Sequence, residues 1–239
     1  MPRLRQRLVW ASMSLRSSSR NLAQTGSAAL QRRGPLHALL GRQYQFARRH
    51  PVSVTQWDAQ YADGDYAERL DAVRQVPHHM VILGYLKCAA KKPRVLEIGC
   101  GHGRLVQLLT SVDFAEYIGV DWSDHAVQRA RLLSISHARF EVGDMDHWDT
   151  SERFDVIVLD ECLYYSVDPC KMFERALGWL TEDGVVIVSM FRSFGARYIW
   201  SQILSPAVVA LAACAVKDAM ERGIWDVKML KNSPCPPSY

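Results

Sequence analysis

The chain of 239 residues has no closely spaced pair of cysteines; its six, at 88, 100, 162, 170, 214 and 235, are scattered. That pattern argues against a thiolate zinc site and against a disulfide framework, and it fits a reducing compartment. No metal is expected. No compact apolar run of signal-peptide length opens the chain, so a secretory leader is not expected either. Residues 1–57 contain neither an acid nor a lysine, yet they hold ten arginines. The rest carries 19 basic and all 25 acidic side chains, so the net +4 conceals an acidic body and says little about a substrate. Internal repeats and long low-complexity stretches are also missing.

The arginine- and serine-rich segment has three readings: an organellar transit peptide, a basic arm touching membrane or nucleic acid, or a plain extension with Met13 as another start. The first places the protein in the mitochondrial matrix; otherwise a cytoplasmic location is expected. The expected organisation is an extension over 1–52, poorly ordered or a targeting segment, one domain over 53–231, and a proline-bearing frayed tail over 232–239.

Charge is absent from one further stretch. Tyr198 to Val216 is 19 residues long, near the length of a membrane span. Ser201, Gln202, Ser205 and Pro206 interrupt it, and Ser205-Pro206 reads as the cap and first turn of a second helix. Two buried or dimer-forming helices are therefore expected rather than a transmembrane span, and a homodimer is compatible with them.

What is present begins with Val95 to Gly103, Val-Leu-Glu-Ile-Gly-Cys-Gly-His-Gly. The apolar residues suit a buried strand, and Gly99, Gly101 and Gly103 end it at a turn that a ligand can approach closely. Leu105, Val106, Leu108 and Leu109 continue at helical spacing. Dinucleotide sites run Gly-x-Gly-x-x-Gly; here the glycines are two apart and Glu97 precedes them. A carboxylate there repels a pyrophosphate and suits an ammonium or sulfonium ligand.

Further strands follow in order. Tyr117 to Asp121 ends in an acid 18 positions after Gly103, placed for ribose hydroxyls. Ser123 caps a helix showing Ala126, Val127, Ala130 and Leu133 on one face. Phe140 to Asp144 reads as a third strand and Phe154 to Asp160 as a fourth. A helix closes at Leu177 to Leu180, Asp183-Gly184 turn the chain, and Val185 to Met190 form a fifth strand. Alternating strands and helices mean a parallel sheet covered on both faces.

With these blocks in place, residues from about Trp57 to Lys231 resemble a class I S-adenosylmethionine (SAM)-dependent methyltransferase, in particular the small "type 12" enzymes. The resemblance rests on Trp57-Asp58-Ala59-Gln60-Tyr61, Leu96 to Gly101, and Glu161-Cys162-Leu163-Tyr164-Tyr165-Ser166-Val167-Asp168-Pro169. It implies a Rossmann-like seven-stranded sheet with helices on both faces and a C-terminal antiparallel hairpin, for which Ala215 to Met220 and Ile224 to Lys231 are the candidate strands. It implies SAM as cofactor. Glu97 would serve the methionine end, Gly99, Gly101 and Gly103 the main-chain cradle, and Asp121 the ribose. Trp122, Asp144 and Met145 would hold the adenine, with Trp57 and Tyr61 in an element folded over the cofactor.

On the acceptor side the resemblance puts Glu161 at an acidic position that can act as general base, bind the methionine amine or cap the next helix, with Tyr164 and Tyr165 lining the pocket. Where relatives often carry Arg-Tyr, this chain has Pro77-His78-His79, and His79 is the competing base. Nucleic acid is not expected as substrate: Asp-Glu-Cys-Leu follows the fourth strand, and no basic-aromatic stripe flanks the site. The expected activity is methyl transfer to a hydroxyl, or second an amine, of a small molecule such as a sugar or secondary metabolite. The alternative is a non-catalytic assembly factor on the same fold, possibly organellar.

Overall fold

The computed structural model describes residues 53–62, 75–109, 114–217 and 223–233. The expectations for residues 1–52 and for the tail from 234 lie outside them, as does the Glu221-Arg222 part of the hairpin turn. Among the described residues, helices α1 (Val54–Ala62) and α2 (Val76–Ala89) lead into strand β1 (Arg94–Ile98) and helix α3 (Arg104–Leu108). Then come β2 (Glu116–Asp121), α4 (Asp124–Arg131), β3 (Ala138–Val142), β4 (Phe154–Asp160), α5 (Pro169–Gly178) and β5 (Leu180–Phe191). Helix α6 (Phe194–Ile203) and strands β6 (Val208–Lys217) and β7 (Ile224–Asn232) complete the described chain.

The seven strands form one sheet in the order β3-β2-β1-β4-β5-β7-β6. The first five are parallel, while β7 runs antiparallel to both β5 and β6. The order reverses between β1 and β4, where β1 pairs with β2 on one side and β4 on the other. Open sheets of this kind bind ligands outside the carboxyl ends of the strands at such a reversal.

Strand alternation divides the core in two. Val156 and Val158 of β4 join Ile82, Leu86, Tyr117 and Val127 in one cluster, whereas Ile157 and Leu159 join Phe173, Ala176 and Ile199 in the other. Both faces of β4 are therefore dry, which explains its unbroken apolar run. Helix termini use the expected chemistry: Ser123 Oγ accepts from the Ala126 N–H at 3.2 Å, and Asp168 Oδ1 from the Lys171 N–H at 3.1 Å.

Four expectations are corrected. The second helix of the uncharged stretch is strand β6, which pairs from Val208 to Lys217 with β7. Val208, Val209 and Val216 favour strand, and β7 supplies an antiparallel partner that outweighs the helix propensity of the alanines. The Asp183-Gly184 turn lies inside β5, which starts at Leu180 and absorbs the irregularity as a register shift beside Phe154 and Val156. β3 ends at Val142, before Gly143-Asp144. Asn232 belongs to β7, opposite Val208. No helix among the described residues is long and apolar enough to cross a membrane.

Candidate active site

The carboxyl ends of β1, β2 and β4 open on a cleft lined by Glu97, Gly99, Gly101, Asp121, Asp160 and Glu161, among others. Its floor is main chain. Gly99 has φ +78°, and a Cβ there would stand 2.5 Å from Cys162 Cβ; Gly101 has φ +54°, and its Cβ would stand 2.8 Å from the Tyr61 hydroxyl. Both positions therefore demand glycine, for backbone angle and for space. Gly103 does different work: it precedes α3, faces Leu133, Val106 and Ala130, and packs α3 against α4 away from the cleft wall.

Asp121 holds this floor. Its Oδ2 accepts from the Gly101 N–H at 2.8 Å and its Oδ1 from the Ser123 N–H at 2.9 Å, which ties the glycine turn to the start of α4. The Trp122 N–H bears on the same carboxylate, and lone-pair capacity for a ligand remains. Burial raises its pKa against the pull of those N–H groups. Glu97 is buried on the central strand beneath the cleft and accepts from the Tyr117 hydroxyl. Burial pushes it up to about 8, the Tyr117 bond opposing and the charges of Asp160 and Asp121 adding.

Above the floor, α1 brings Trp57 and Tyr61. The Trp57 ring meets Tyr165 edge-on at 5.0 Å and lies 6.4 Å from Tyr61. Asp58, which sequence reasoning passed over, accepts at 2.5 Å from the same Ser123 hydroxyl that caps α4. Trp122, Gly143 and Met145 form part of the same wall. Asp144 stands off it: its carboxylate accepts from the Asp146 N–H at 3.0 Å and pairs with His147, holding the turn after β3.

At the far end, Glu161 is a non-glycine residue with φ +53°, a left-handed backbone that folds its carboxyl back on the sheet. Its Oε1 accepts from the Phe191 N–H at 2.5 Å and its Oε2 from the Tyr164 hydroxyl at 2.8 Å. Burial and the Asp160 charge push it up to about 8. Asp168, not Glu161, caps the helix after Pro169. The two tyrosines separate as well: Tyr165 lines the cleft, while Tyr164 packs against the core beneath it.

Beside Glu161, the first turn of α2 delivers His78 and His79 to Asp160 at the end of β4. His79 Nε2 lies 3.0 Å from Asp160 Oδ2, and His78 Nε2 lies 3.5 Å from Oδ1. Burial works against charge on Asp160, but the two histidines outweigh it and hold the carboxyl well below the usual range. Sequence reasoning singled out His79 and left His78 as its neighbour; the structure brings both to one carboxylate.

The match with known proteins accords with this geometry. Residues 89–228 match the family model described as "Methyltransferase domain". A ubiquinone biosynthesis O-methyltransferase of Bradyrhizobium diazoefficiens is 30% identical over 135 residues, covering 47% of this chain and 53% of that protein. A trans-aconitate 2-methyltransferase of Pseudomonas aeruginosa is 31% identical over 98 residues, covering 41% and 35%. The chain thus spans about half, or less, of the length of the curated relatives it matches. Among solved structures, the N-methyltransferase NodS of Bradyrhizobium japonicum WM9 in complex with S-adenosyl-L-homocysteine superposes with a TM-score of 0.64 at 18% identity, over 83% of this chain and 99% of that one. The chain belongs to the methyltransferase-domain family and has the class I SAM-dependent methyltransferase fold.

Proposed function

We propose that this family member binds SAM in the cleft and transfers its methyl group to a hydroxyl of a small molecule. One observation carries the reading: four carboxyl side chains, Glu97, Asp121, Asp160 and Glu161, converge on a glycine-floored cleft at the sheet's reversal point. Such a wall favours a ligand with ammonium and sulfonium charges and disfavours a pyrophosphate. Gly99 and Gly101 line the cleft with main chain, which fits a ligand laid against it. SAM supplies, when bound, a sulfonium methyl open to in-line displacement.

The chain's own residues divide the remaining work. Glu97 holds the amino end of the ligand, and the free acceptor sites of Asp121 take the ribose hydroxyls. Trp57 and Tyr61 exclude water above the methyl group. Glu161, held by the Phe191 N–H and the Tyr164 hydroxyl, shapes the acceptor pocket. The acceptor side presents His79 and Asp160 instead.

The Trp57 to Tyr61 and Glu161 to Pro169 blocks support placement among the "type 12"-like enzymes. The curated relatives include a ubiquinone biosynthesis O-methyltransferase and a malonyl-[acyl-carrier protein] O-methyltransferase, which supports oxygen over nitrogen. Carboxyl groups on the cleft wall argue against a nucleic-acid substrate. The uncharged β6 edge is the surface a homodimer would use. Calorimetric titration tests the core of the reading: S-adenosylhomocysteine should bind one per chain and NAD should not. Binding of NAD in its place would overturn it.

A further inference from the structure

One corner of the cleft holds four buried polar atoms without a hydrogen-bond partner: Nδ1 and Nε2 of His78, Nδ1 of His79 and Oδ1 of Asp160. Unpartnered buried groups are costly, and four at one point call for a ligand. We propose that His78, His79 and Asp160 bind a single divalent transition-metal cation of the zinc, manganese or ferrous class.

The geometry fits an ion better than hydrogen bonds alone. His78 Nε2 and Asp160 Oδ1 face each other at 3.5 Å, yet neither counts a hydrogen-bond partner. Two ligands about 2.1 Å from one tetrahedral ion lie about 3.4 Å apart, so the spacing suits a shared cation. His79 Nε2 meets the other oxygen, Oδ2, at a hydrogen-bonding 3.0 Å, which holds the carboxylate in place, and ligand atoms of all three residues lie within 4.8 Å of one another. Two imidazoles and a carboxylate favour the borderline cations over calcium or magnesium, which prefer all-oxygen shells.

The ligands are also rigidly held. The His78 ring stacks on Trp225 at 5.1 Å and 10°, and the His79 ring lies 4.2 Å from His78. Asp160 is fixed by its place at the end of a central strand. Expectation of no metal rested on the cysteines, and these ligands stand on a helix start and a distant strand end.

The consequence, which rests on the methyltransferase reading, concerns the acceptor. The three residues line the same cleft, so open coordination positions face the space where an acceptor hydroxyl would enter. Coordination lowers the pKa of a bound hydroxyl. The acceptor then gives its proton to solvent, its oxygen bonds the methyl carbon, and the broken C–S pair stays on sulfur; methyl ether, thioether and one proton result.

The untagged full chain, stripped with chelator, should take up one Co(II) per chain with visible d–d absorption and release it to Zn(II). His79→Ala and Asp160→Asn should weaken that uptake at least about tenfold, since loss of even an outer partner reaches that range. His79→Gln, with melting followed in parallel, guards against a misfolded variant. S-adenosylhomocysteine binding is measured on the same samples. Uptake of no ion by the wild-type chain, or equal uptake by the variants, overturns the site while intact nucleoside binding leaves the methyltransferase reading standing. Ion uptake without nucleoside binding does the reverse.

Discussion

At the β1–β2 end of the cleft the wall is main chain, with Gly99 and Gly101 pressed against their neighbours and both Asp121 oxygens engaged by N–H groups. At the β4 end the wall is side chain, with His78, His79 and Asp160 converging from distant parts of the chain and four of their atoms lacking a hydrogen bond. The first end is closed chemistry that can receive one kind of ligand. The second is open chemistry, waiting for a partner. On the methyltransferase reading, one fold separates a fixed donor end from an adaptable acceptor end, and substitutions at the two ends should have different signatures.

The largest effect is expected at the open end. Asp160→Asn should lower turnover about 10²–10⁴-fold, as loss of acid-base or metal assistance does, with S-adenosylhomocysteine affinity unchanged. Equal losses in both measurements would erase the distinction between the ends. At the closed end, Asp121→Ala should weaken nucleoside binding at least about tenfold, or about 1.4 kcal/mol. An unchanged dissociation constant removes Asp121 from the ribose role.

Third comes pH. Burial pushes Glu97 up to about 8, so receiving an ammonium group must expel a proton below that value. Affinity for S-adenosylhomocysteine should rise by up to about tenfold per pH unit between 6.5 and about 8, then level off. Titrations in buffers of different ionisation heat would show the released proton, and its absence at pH 7 would break the assignment. The same raised carboxyls have a sign in folding. Between the ordinary glutamate value and about 8, the folded state holds more protons than the unfolded chain, so Glu97 and Glu161 make the empty protein less stable as pH rises through that window.

Smaller still is Trp57→Ala, which removes an edge contact with Tyr165. Its cost is about 0.5–1.5 kcal/mol, read as a several-fold rise in acceptor KM. Least of all, Val209→Lys on the exposed β6 edge should change stability by no more than about 0.5 kcal/mol in a thermal melt.

The same contrast explains what could be read from residues alone. The donor end is local: an apolar strand, a glycine turn and a helix follow one another within Val95 to Leu109, and β2 repeats the theme with Asp121. Periodicity and turn chemistry report such features directly. The acceptor end is not local. His78 and Asp160 meet only because α2 packs across the sheet, and no spacing rule links a helix start to a strand end so far along the chain. β6 failed for another reason. Most of its residues are exposed and apolar on both faces, so no two-residue alternation marks it as a strand. Asp144 illustrates a third limit: a Gly-Asp pair after a strand serves a turn as readily as a ligand.

Helix α1 forms the roof of the cleft. Near the cleft its links to the body include the Ser123 hydroxyl donated to Asp58 and aromatic edges at Trp57 and Tyr61. Contacts of that kind are worth roughly a kilocalorie each, far less than the dry packing under β4. Asp58 and Asp121 both meet Ser123, so the roof and the glycine floor share one joint, and a substitution at Ser123 would disturb both sides of the cleft at once.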